Sequence, residues 1–273
     1  MSFATFTGID PRPYARGLAA ALACALMSGL LLPADSPALI LNIEKERRAE
    51  GGEGLSRRLN LSAALRSGNV DLVDFGLGLR LEKWDEHSSW LLIAGGRVAE
   101  KDNSTFVQEG QVHVRRNFRS DQRLDPEVFA QLQTNEFADL EMRALLGGGV
   151  RMRLESVEGS SAWLGYGAMV ESELLDVDPG SGEDSSVSVL RLNTYLSLSR
   201  AVGESADFSA TVFVQPRVDD PGDLRAMAEL LLETRVTEGI GLDLSLSLEH
   251  DSRPPGDVEQ TDVQLRNTLV FDW

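Results

Sequence analysis

Residues Thr261 to Trp273 read Thr-Asp-Val-Gln-Leu-Arg-Asn-Thr-Leu-Val-Phe-Asp-Trp and end the chain. One parity of this stretch is apolar: Val263, Leu265, Leu269, Phe271 and Trp273. The other parity is mostly polar, and a period of two is typical of a β-strand with two unlike faces. Chain ends of soluble domains tend to fray, whereas the last strand of an outer-membrane barrel closes the barrel and carries an interfacial aromatic residue. The stretch therefore favours a membrane barrel.

The same alternation recurs from about Leu55 to the end of the chain. It predicts about twelve strands, an even number as in bacterial single-chain barrels. Most are long enough to cross a bilayer at a tilt. Their approximate spans are 55–67, 70–84, 88–101, 105–118, 127–135, 138–155, 160–175, 186–200, 206–217, 223–236, 240–250 and 261–273.

Two of these segments also have features of helices. Residues 223–237 contain strong helix formers, but their unbroken parity and their neighbours favour a strand. Residues 139–155 contain Gly147, Gly148 and Gly149, which disfavour a helix by up to about 1 kcal/mol each. A strand tolerates glycines where a sheet curves sharply. We therefore predict a strand for both segments.

The N-terminal region has the pattern of a cleavable signal peptide. Arg12 and Arg16 precede an apolar run, residues 17–32, and small residues suit cleavage after Ala38. The alternative is a membrane anchor, but the run is shorter than the roughly 20 residues of a spanning helix. Cys24 is the only cysteine and lies within the run, so the mature chain would have no disulfide and no thiolate chemistry.

The formal net charge of −17 indicates which partners the chain does not favour. Nucleic acids and anionic membrane surfaces both attract an excess of Lys and Arg. We therefore expect no nucleic-acid partner and no peripheral binding through overall charge. Acidic, soluble loops are the simpler explanation of the charge.

Periodicity alone does not say which face of the sheet points outward. A soluble all-β protein would bury the apolar parity, and a membrane barrel would expose it to lipid. We favour the barrel because the apolar faces carry almost no charge and because no linker divides the strands into sandwiches. If both chain ends are periplasmic, outward connections such as 176–185 and 251–260 are mostly longer than inward ones such as 236–239, as in outer-membrane barrels.

In this interpretation the polar parity lines the lumen and carries both signs of charge. Such a lining could form a pore for small polar solutes, or an ion-paired filling that closes the barrel. Barrels of about eight strands fill with side chains and open channels appear at about sixteen, so twelve favours a closed or weakly leaky lumen. The expected lining is Arg58, Arg66, Arg80, Glu82, Arg97, Glu109, His113, Arg115, Glu141, Arg143, Arg151, Arg153, Glu171, Glu173, Arg191, Arg225, Glu229, Glu233, Arg235, Asp243 and Arg266.

Chemistry beyond this lining has little support in the sequence. The three histidines are His87, in an inward turn, His113, in the lumen, and His250, at the outward rim. Only His250 has candidate partners beside it, Asp251 and Ser252, and successive strand residues point apart. A rim hydrolase is therefore a remote alternative, and we predict no enzyme, no catalytic residue and no cofactor. Residues 176–184 cluster four carboxylates, which favour a solvated acidic loop over a cation site that bridges to lipopolysaccharide. We assign no metal ligand.

Several short motifs, in this order and spacing, resemble one bacterial family. They are Asn42-Ile43-Glu44, Ser67-Gly68-Asn69, Asn135-Glu136-Phe137, Leu146-Gly147-Gly148-Gly149-Val150-Arg151, Leu164-Gly165-Tyr166-Gly167-Ala168-Met169, Gln215-Pro216-Arg217 and Asp251-Ser252-Arg253-Pro254-Pro255-Gly256 followed by Asp262. The family is that of the salt-induced outer-membrane proteins, grouped under a domain of unknown function. The resemblance covers residues 40–273 and implies an outer-membrane barrel without catalytic residues. It also implies that the barrel-assembly machinery reads the C-terminal strand ending at Trp273, although Asn267 stands where such a signal would be apolar.

The sequence thus predicts three regions: a signal peptide (1–38), a periplasmic lead-in (39–54) and an antiparallel up-and-down transmembrane β-barrel (55–273). We expect a monomer in the Gram-negative outer membrane, in contact with lipid and lipopolysaccharide. The expected function is structural or related to stress, and a passive pore is the main alternative.

Overall fold

The computed structural model describes residues 40–44, 54–66, 72–101, 104–119, 123–136, 139–154, 159–176, 184–254 and 259–272. The signal peptide, the Ser67-Gly68-Asn69 turn, most of the acidic loop 176–184 and Trp273 lie outside these residues. No helix in the described part of the chain is long and apolar enough to cross a bilayer.

Twelve antiparallel strands form one closed sheet, in which each strand pairs with its neighbours in sequence. Consecutive antiparallel strands need no crossover connection. Their bounds are Gly54–Arg66 (β1), Leu72–Trp84 (β2), Ser88–Lys101 (β3), Ser104–Phe118 (β4), Leu124–Asn135 (β5), Leu140–Arg153 (β6), Ser160–Leu175 (β7), Ser186–Val202 (β8), Ala206–Pro216 (β9), Leu224–Arg235 (β10), Ile240–Asp251 (β11) and Thr261–Asp272 (β12).

The barrel closes between the first and the last strand. Pairs from Arg58↔Asp272 to Leu61↔Leu269 join β1 to β12. β1 begins and β12 ends at the same end of the barrel, and we call that end the terminal end. The opposite end, which carries the connections 176–185, 217–223 and 252–260, is called the loop end. Closure removes the exposed sheet edges that would otherwise need pairing partners.

The predicted strands agree closely with the observed ones, including the two ambiguous segments. Residues 224–235 form β10 and pair in unbroken register with both β9 and β11. Gly147, Gly148 and Gly149 lie within β6. The main difference is in β5, which begins at Leu124 and therefore includes Pro126. A proline near the start of a strand removes only one ladder donor.

The pattern of burial is the reverse of that in a water-soluble protein: many apolar side chains are exposed and many charged side chains are buried. Leu146 on the outer surface is 69% exposed, whereas Arg80 in the interior is 1% exposed. The remaining outward positions carry mostly Leu, Val, Ala and Phe, and the inward positions carry most of the charged residues. The sheet therefore has its apolar parity outside, as the membrane interpretation predicts.

One segment before the first strand lies inside the barrel. Ile43 is 1% exposed and packs in a cluster with lumen-facing side chains of β3, β8, β9 and β10, and Ile40 and Leu41 pack against the same cluster. Residues 40–44 thus lie inside the barrel, whereas the sequence predicted that residues 39–54 form a periplasmic lead-in. The physical reason is that Ile40, Leu41 and Ile43 are apolar and find a matching apolar surface within an otherwise polar lumen.

Candidate functional site

The polar parity predicted from the sequence lines the lumen. These side chains are buried in the interior or face its cavities: Arg58, Arg80, Glu82, Arg97, Glu109, His113, Arg115, Arg143, Arg151, Arg153, Glu171, Glu173, Arg191, Arg225, Glu229, Glu233, Arg235, Asp243 and Arg266. The barrel interior is therefore the candidate site, and its side chains decide whether anything passes through it.

Glu141 is a correction to the predicted lining. A β-bulge shifts the register of β6 against β7 between Leu140 and Met142. Leu140 consequently faces the interior, and Glu141 is exposed. A bulge adds one residue to a strand, so it reverses the parity that a strict period of two assigns. The side chain of Arg66 lies outside the described residues.

An ion-pair network fills the lumen towards the loop end. Arg225 lies 2.7 Å from Glu171 and 3.0 Å from Glu173, and Arg143 also pairs with Glu173. Arg191 donates from Nε to Glu171 Oε1 at 2.8 Å. Two further carboxylates complete the network: Asp251 accepts from Arg225 Nε, and Asp223 accepts from Arg191 Nη2, both at 2.7 Å.

These three arginines and four carboxylates come from β6, β7, β8, β11 and the start of β10. Each of their side chains is at most 10% exposed. Burying a single charge costs several kcal/mol, so the network is stable only because each charge has an opposite partner. The paired side chains occupy the part of the lumen that these described strands enclose.

A second layer of paired polar groups lies on β4 and β5. Arg115 donates to Glu127 Oε1 at 2.8 Å, and its guanidinium stacks over the Phe129 ring, 4.6 Å from the centroid. His113 Nδ1 lies 2.7 Å from Gln131 Oε1, and the imidazole stacks on Phe129 at 5.7 Å. His113 is 2% exposed and holds this layer together as a structural group.

Sequence parity missed an apolar surface inside the lumen. Tyr195 and Phe213 pack with ring centroids 5.2 Å apart, and Leu91, Ile93 and Met227 complete the patch. We call these five residues the apolar socket. They occupy inward positions on β3, β8, β9 and β10, where alternation predicts polar groups. A run of apolar residues at both parities, such as Trp90-Leu91-Leu92-Ile93, was the available signal.

Ile43 occupies the apolar socket. The backbone around it is held by a local hydrogen bond from Glu44 N to Asn42 Oδ1 of 3.1 Å. Glu44 Oε2 lies 3.9 Å from Arg151 Nη1, on β6. The segment Ile40–Glu44, hereafter the luminal segment, is thus fixed by an apolar side chain and by an ion pair.

Glycines on β6 and β7 make room for the aromatic rings of the lumen. Gly165 pairs directly with Tyr195, and a Cβ at Gly165 would overlap the Tyr195 ring. A Cβ at Gly147 would lie 2.5 Å from Phe129 Cζ. Curvature of the sheet is one reason for the glycines of β6. The close approach of these rings is a further reason for glycine on both strands.

Two of the interior cavities are large enough to bear on passage through the barrel. One, of about 180 Å³, is lined by polar groups that include Asn60, Gln111 and Arg97. The other, of about 690 Å³, lies at the terminal end and is lined by Trp163 and Arg235, among others. Both cavities include Arg58 and Asp243 in their lining.

Arg58 separates these cavities. Its Nη1 donates to Glu233 Oε1 at 2.7 Å and lies 3.7 Å from Asp243 Oδ2. An arginine held by two carboxylates has little freedom to swing aside. Arg58 is therefore a firmly held side chain on the boundary that the two cavities share.

The rim residues considered for hydrolysis do not come together. His250 faces outward and contacts Thr261, with 2.9 Å between Nδ1 and Oγ1, whereas Asp251 faces inward and pairs with Arg225. Ser252 Oγ accepts from Leu224 N and donates to Gly222 O. The three groups cannot share a proton, because neighbouring strand residues point to opposite faces. His87 lies in the turn between β2 and β3.

Metal-binding chemistry finds no support in the described part of the chain. No group of three or more His, Cys, Asp or Glu residues there could hold an ion. Of the acidic loop, only Asp176 and Asp184 belong to the described residues.

Two connections between strands contain carboxylates with lowered pKa values. The pKa of Asp85 is lowered because its carboxylate accepts backbone hydrogen bonds from His87 and Ser88. The pKa of Asp219 is lowered by the guanidinium of Arg217, which donates to both of its oxygens. Both groups are ionised at neutral pH and stabilise their turns.

Solved structures similar to this chain include two autotransporter domains and a porin. The translocator domain of the autotransporter NalP from Neisseria meningitidis shares 12% identity at a TM-score of 0.47, over 97% of this chain and 98% of that one. The NanC porin shares 10% identity at 0.46, over 80% and 98%. The β domain of the Bordetella autotransporter BrkA shares 12% at 0.41, over 82% and 99%. The fold itself rests on the strand pairings of this chain.

Among curated proteins, none matches this chain significantly. A protein family described as "protein of unknown function, DUF481" matches residues 59–273, which include almost the whole barrel and its luminal side chains. The match extends over much more than half of the sequence, and so the chain belongs to the DUF481 family of proteins of unknown function.

Proposed function

We propose that this protein is an integral outer-membrane barrel with a closed lumen and a structural role in the envelope. The inversion of burial carries the proposal. Outward leucines and valines are exposed along the strands, whereas most arginines and glutamates of the interior are buried, and many of them form ion pairs. Such a surface would be unfavourable in water and is favourable in lipid.

In this proposal two groups of residues close the lumen. The ion-pair network around Arg225 and Glu171 occupies the level near the loop end. The luminal segment occupies the apolar socket, through Ile43. Because the network is held by charge and the segment by apolar contact, high salt alone would not open both. The segment acts as an internal plug.

The main alternative is a passive pore, and one observation favours it. The two cavities approach each other at Arg58, which separates a vestibule of about 690 Å³ from a smaller chamber of about 180 Å³. If Arg58 moved away from Glu233 and Asp243, small polar solutes would have a path along β1 and β12. Side chains of both charges line this path, so it would discriminate only weakly between cations and anions.

Conductance in planar bilayers distinguishes closure from a pore. We expect the full-length protein, refolded in lipid, to give no stepwise openings. Stepwise openings of the unmodified protein would overturn the closed barrel and support the pore. Arg58→Ala is the informative variant for the pore, because it removes the constriction between the two cavities.

The plug is tested in the same apparatus with Ile43→Asp, which places a charge in the apolar socket. We expect this variant to leak, and Ile43→Val, the matched control, to stay closed because it keeps an apolar side chain in the socket. If Ile43→Asp folds and remains as tight as the unmodified protein, the luminal segment does not contribute to closure. Heat-modified migration on gels reports whether each variant has folded.

The cellular context completes the proposal. We infer export through cleavage after Ala38, assembly through the C-terminal strand ending at Trp273, and residence as a monomer among outer-membrane lipid and lipopolysaccharide. The resemblance to salt-induced proteins adds an expectation that transcript levels rise after a salt upshift. Fractionation of membranes with mass analysis of the mature N-terminus tests the location and the cleavage site.

A further inference from the structure

The lipid-facing surface near the terminal end has a one-sided charge pattern. Among the described strand residues there, the charged side chains that face outward are all basic: Arg57, Lys83, Arg116 and Arg200. Glu100, by contrast, is exposed near the loop end of β3. In a chain with a net charge of −17, this local basic surface is not a consequence of composition. It requires a local explanation.

Two of these cations flank one aromatic ring. Lys83 on β2 is the direct partner of Trp90 on β3, and Trp90 is the direct partner of Arg116 on β4. Direct cross-strand partners have Cβ atoms roughly 5 Å apart. The Arg116 guanidinium lies 5.1 Å from the Trp90 ring centroid and 4.7 Å from that of Phe118. The rings therefore fix the position of the arginine.

Arg116 has hydrogen-bonding capacity that the protein does not use. Its Nε is shielded from solvent and has no hydrogen-bond partner. Within the described residues, neither Lys83 nor Arg116 has a carboxylate at salt-bridge distance. A shielded, unsatisfied donor on a cation is costly at the edge of a hydrocarbon layer. An anionic acceptor from outside the protein would remove that cost.

The surface beside this row is apolar. Leu92 and Val114 are direct partners on β3 and β4, one outward position further towards the middle of the barrel. Val114 and Val112, on the same face, are both more than a third exposed. A ligand that fits this surface has a phosphate beside the cations and hydrocarbon chains along the valines and leucines. That combination describes a phospholipid.

We propose that Lys83 and Arg116 bind the phosphate of a phospholipid in the leaflet at the terminal end, with Trp90 beside the headgroup and the acyl chains over Leu92 and Val114. Arg and Lys suit phosphate because they donate several charge-assisted hydrogen bonds. The inference rests on the membrane location proposed above, but it does not depend on whether the lumen is closed.

Fluorescence quenching tests the site. The full-length protein in neutral detergent micelles is titrated with phosphatidylglycerol that carries brominated acyl chains, and tryptophan emission is recorded. We expect saturable quenching that Trp90→Phe largely removes. The double variant Lys83→Gln, Arg116→Gln should weaken the apparent affinity at least tenfold. Arg200→Gln, which removes an outward cation of the same end away from this row, is the matched control and should leave the affinity unchanged.

Three outcomes would overturn the proposal. Equal quenching in the double variant would show that lipid binds without the two cations. An equal loss in Arg200→Gln would show a general charge effect instead of a site. Displacement of the lipid by inorganic phosphate at matched concentration would show that the free anion is the ligand. Because the readout is lipid binding, it remains separate from the conductance that tests the closed lumen.

Discussion

Arg225 and Glu171 form a salt bridge across the lumen, with 2.7 Å between Nη1 and Oε2. The two residues lie on β10 and β7, which are separated in the sheet by β8 and β9. Their contact therefore joins parts of the barrel wall that no backbone ladder connects. Arg225 also contacts Glu173 and Asp251, so one guanidinium joins three carboxylates from two strands. These ion pairs therefore link distant strands of the barrel wall in addition to filling the lumen.

Arg225→Ala should destabilise the barrel by about 3–5 kcal/mol, because it leaves Glu171, Glu173 and Asp251 buried with fewer partners. Urea unfolding in phospholipid vesicles, followed by tryptophan fluorescence, measures the change. Arg253→Ala is the control, since Arg253 pairs with Asp220 at the exposed rim. It should change the free energy of unfolding by less than about 1 kcal/mol. Equal effects of the two variants would contradict a buried network.

Gly165→Ala should destabilise the barrel by about 1–3 kcal/mol, because the added methyl group overlaps the Tyr195 ring and forces it to move. Tyr195→Ala in the same chain should remove most of this penalty, which a double-mutant cycle quantifies. Gly78→Ala is the control, since its Cβ would meet Asn60 Cβ at an ordinary 3.4 Å. If Gly165→Ala and Gly78→Ala cost the same, crowding by Tyr195 is not the reason for the glycine.

Leu246→Arg should cost about 2–4 kcal/mol in lipid vesicles, because Leu246 is an outward residue near the middle of β11. Leu246→Met, which keeps an apolar side chain of similar size, should be nearly neutral. Unfolding free energies in vesicles measure both. A neutral Leu246→Arg would mean that this face of the barrel contacts water, and the membrane interpretation would then fail.

Asp85→Asn should reduce the loss of folding stability that accompanies a fall in pH below about 5. The folded-state pKa of Asp85 is depressed, so its contribution is present above its unfolded-state pKa of about 4 and is lost as pH falls through the lower folded-state value. Unfolding midpoints between about pH 5 and 2 should fall less in Asp85→Asn than in the unmodified protein. Glu86→Gln, in the same turn, is the control, and it should retain the steeper profile.

The strand pattern could be read from the sequence because lipid imposes it residue by residue. Outward positions near the middle of a spanning strand must be apolar, so the alternation is visible in all twelve strands, including β10 with its helix formers. The parity also identified most of the luminal arginines and glutamates, although the predicted lining left out Glu127 and Glu249. The parity was wrong at Glu141, because a β-bulge shifts the register locally and cannot be predicted from the alternation of residues.

The packing inside the lumen could not be read in the same way. Leu91, Ile93, Tyr195 and Phe213 interrupt the polar parity of their strands, and each interruption alone means little. They form a socket only because closure of the sheet brings β3, β8 and β9 to face one interior. The position of Ile43 depends on that socket, so the interior location of the luminal segment was missed as well.

The sequence by itself determined the barrel, its strand number and the division of each strand into an apolar and a polar face, because these follow from the chemistry of each position along a strand. Only the tertiary structure decided which charges pair across the lumen, that Ile43 fills an apolar socket, and that Lys83 and Arg116 flank Trp90. Those relationships join residues far apart in sequence, and their distances are set by register and closure.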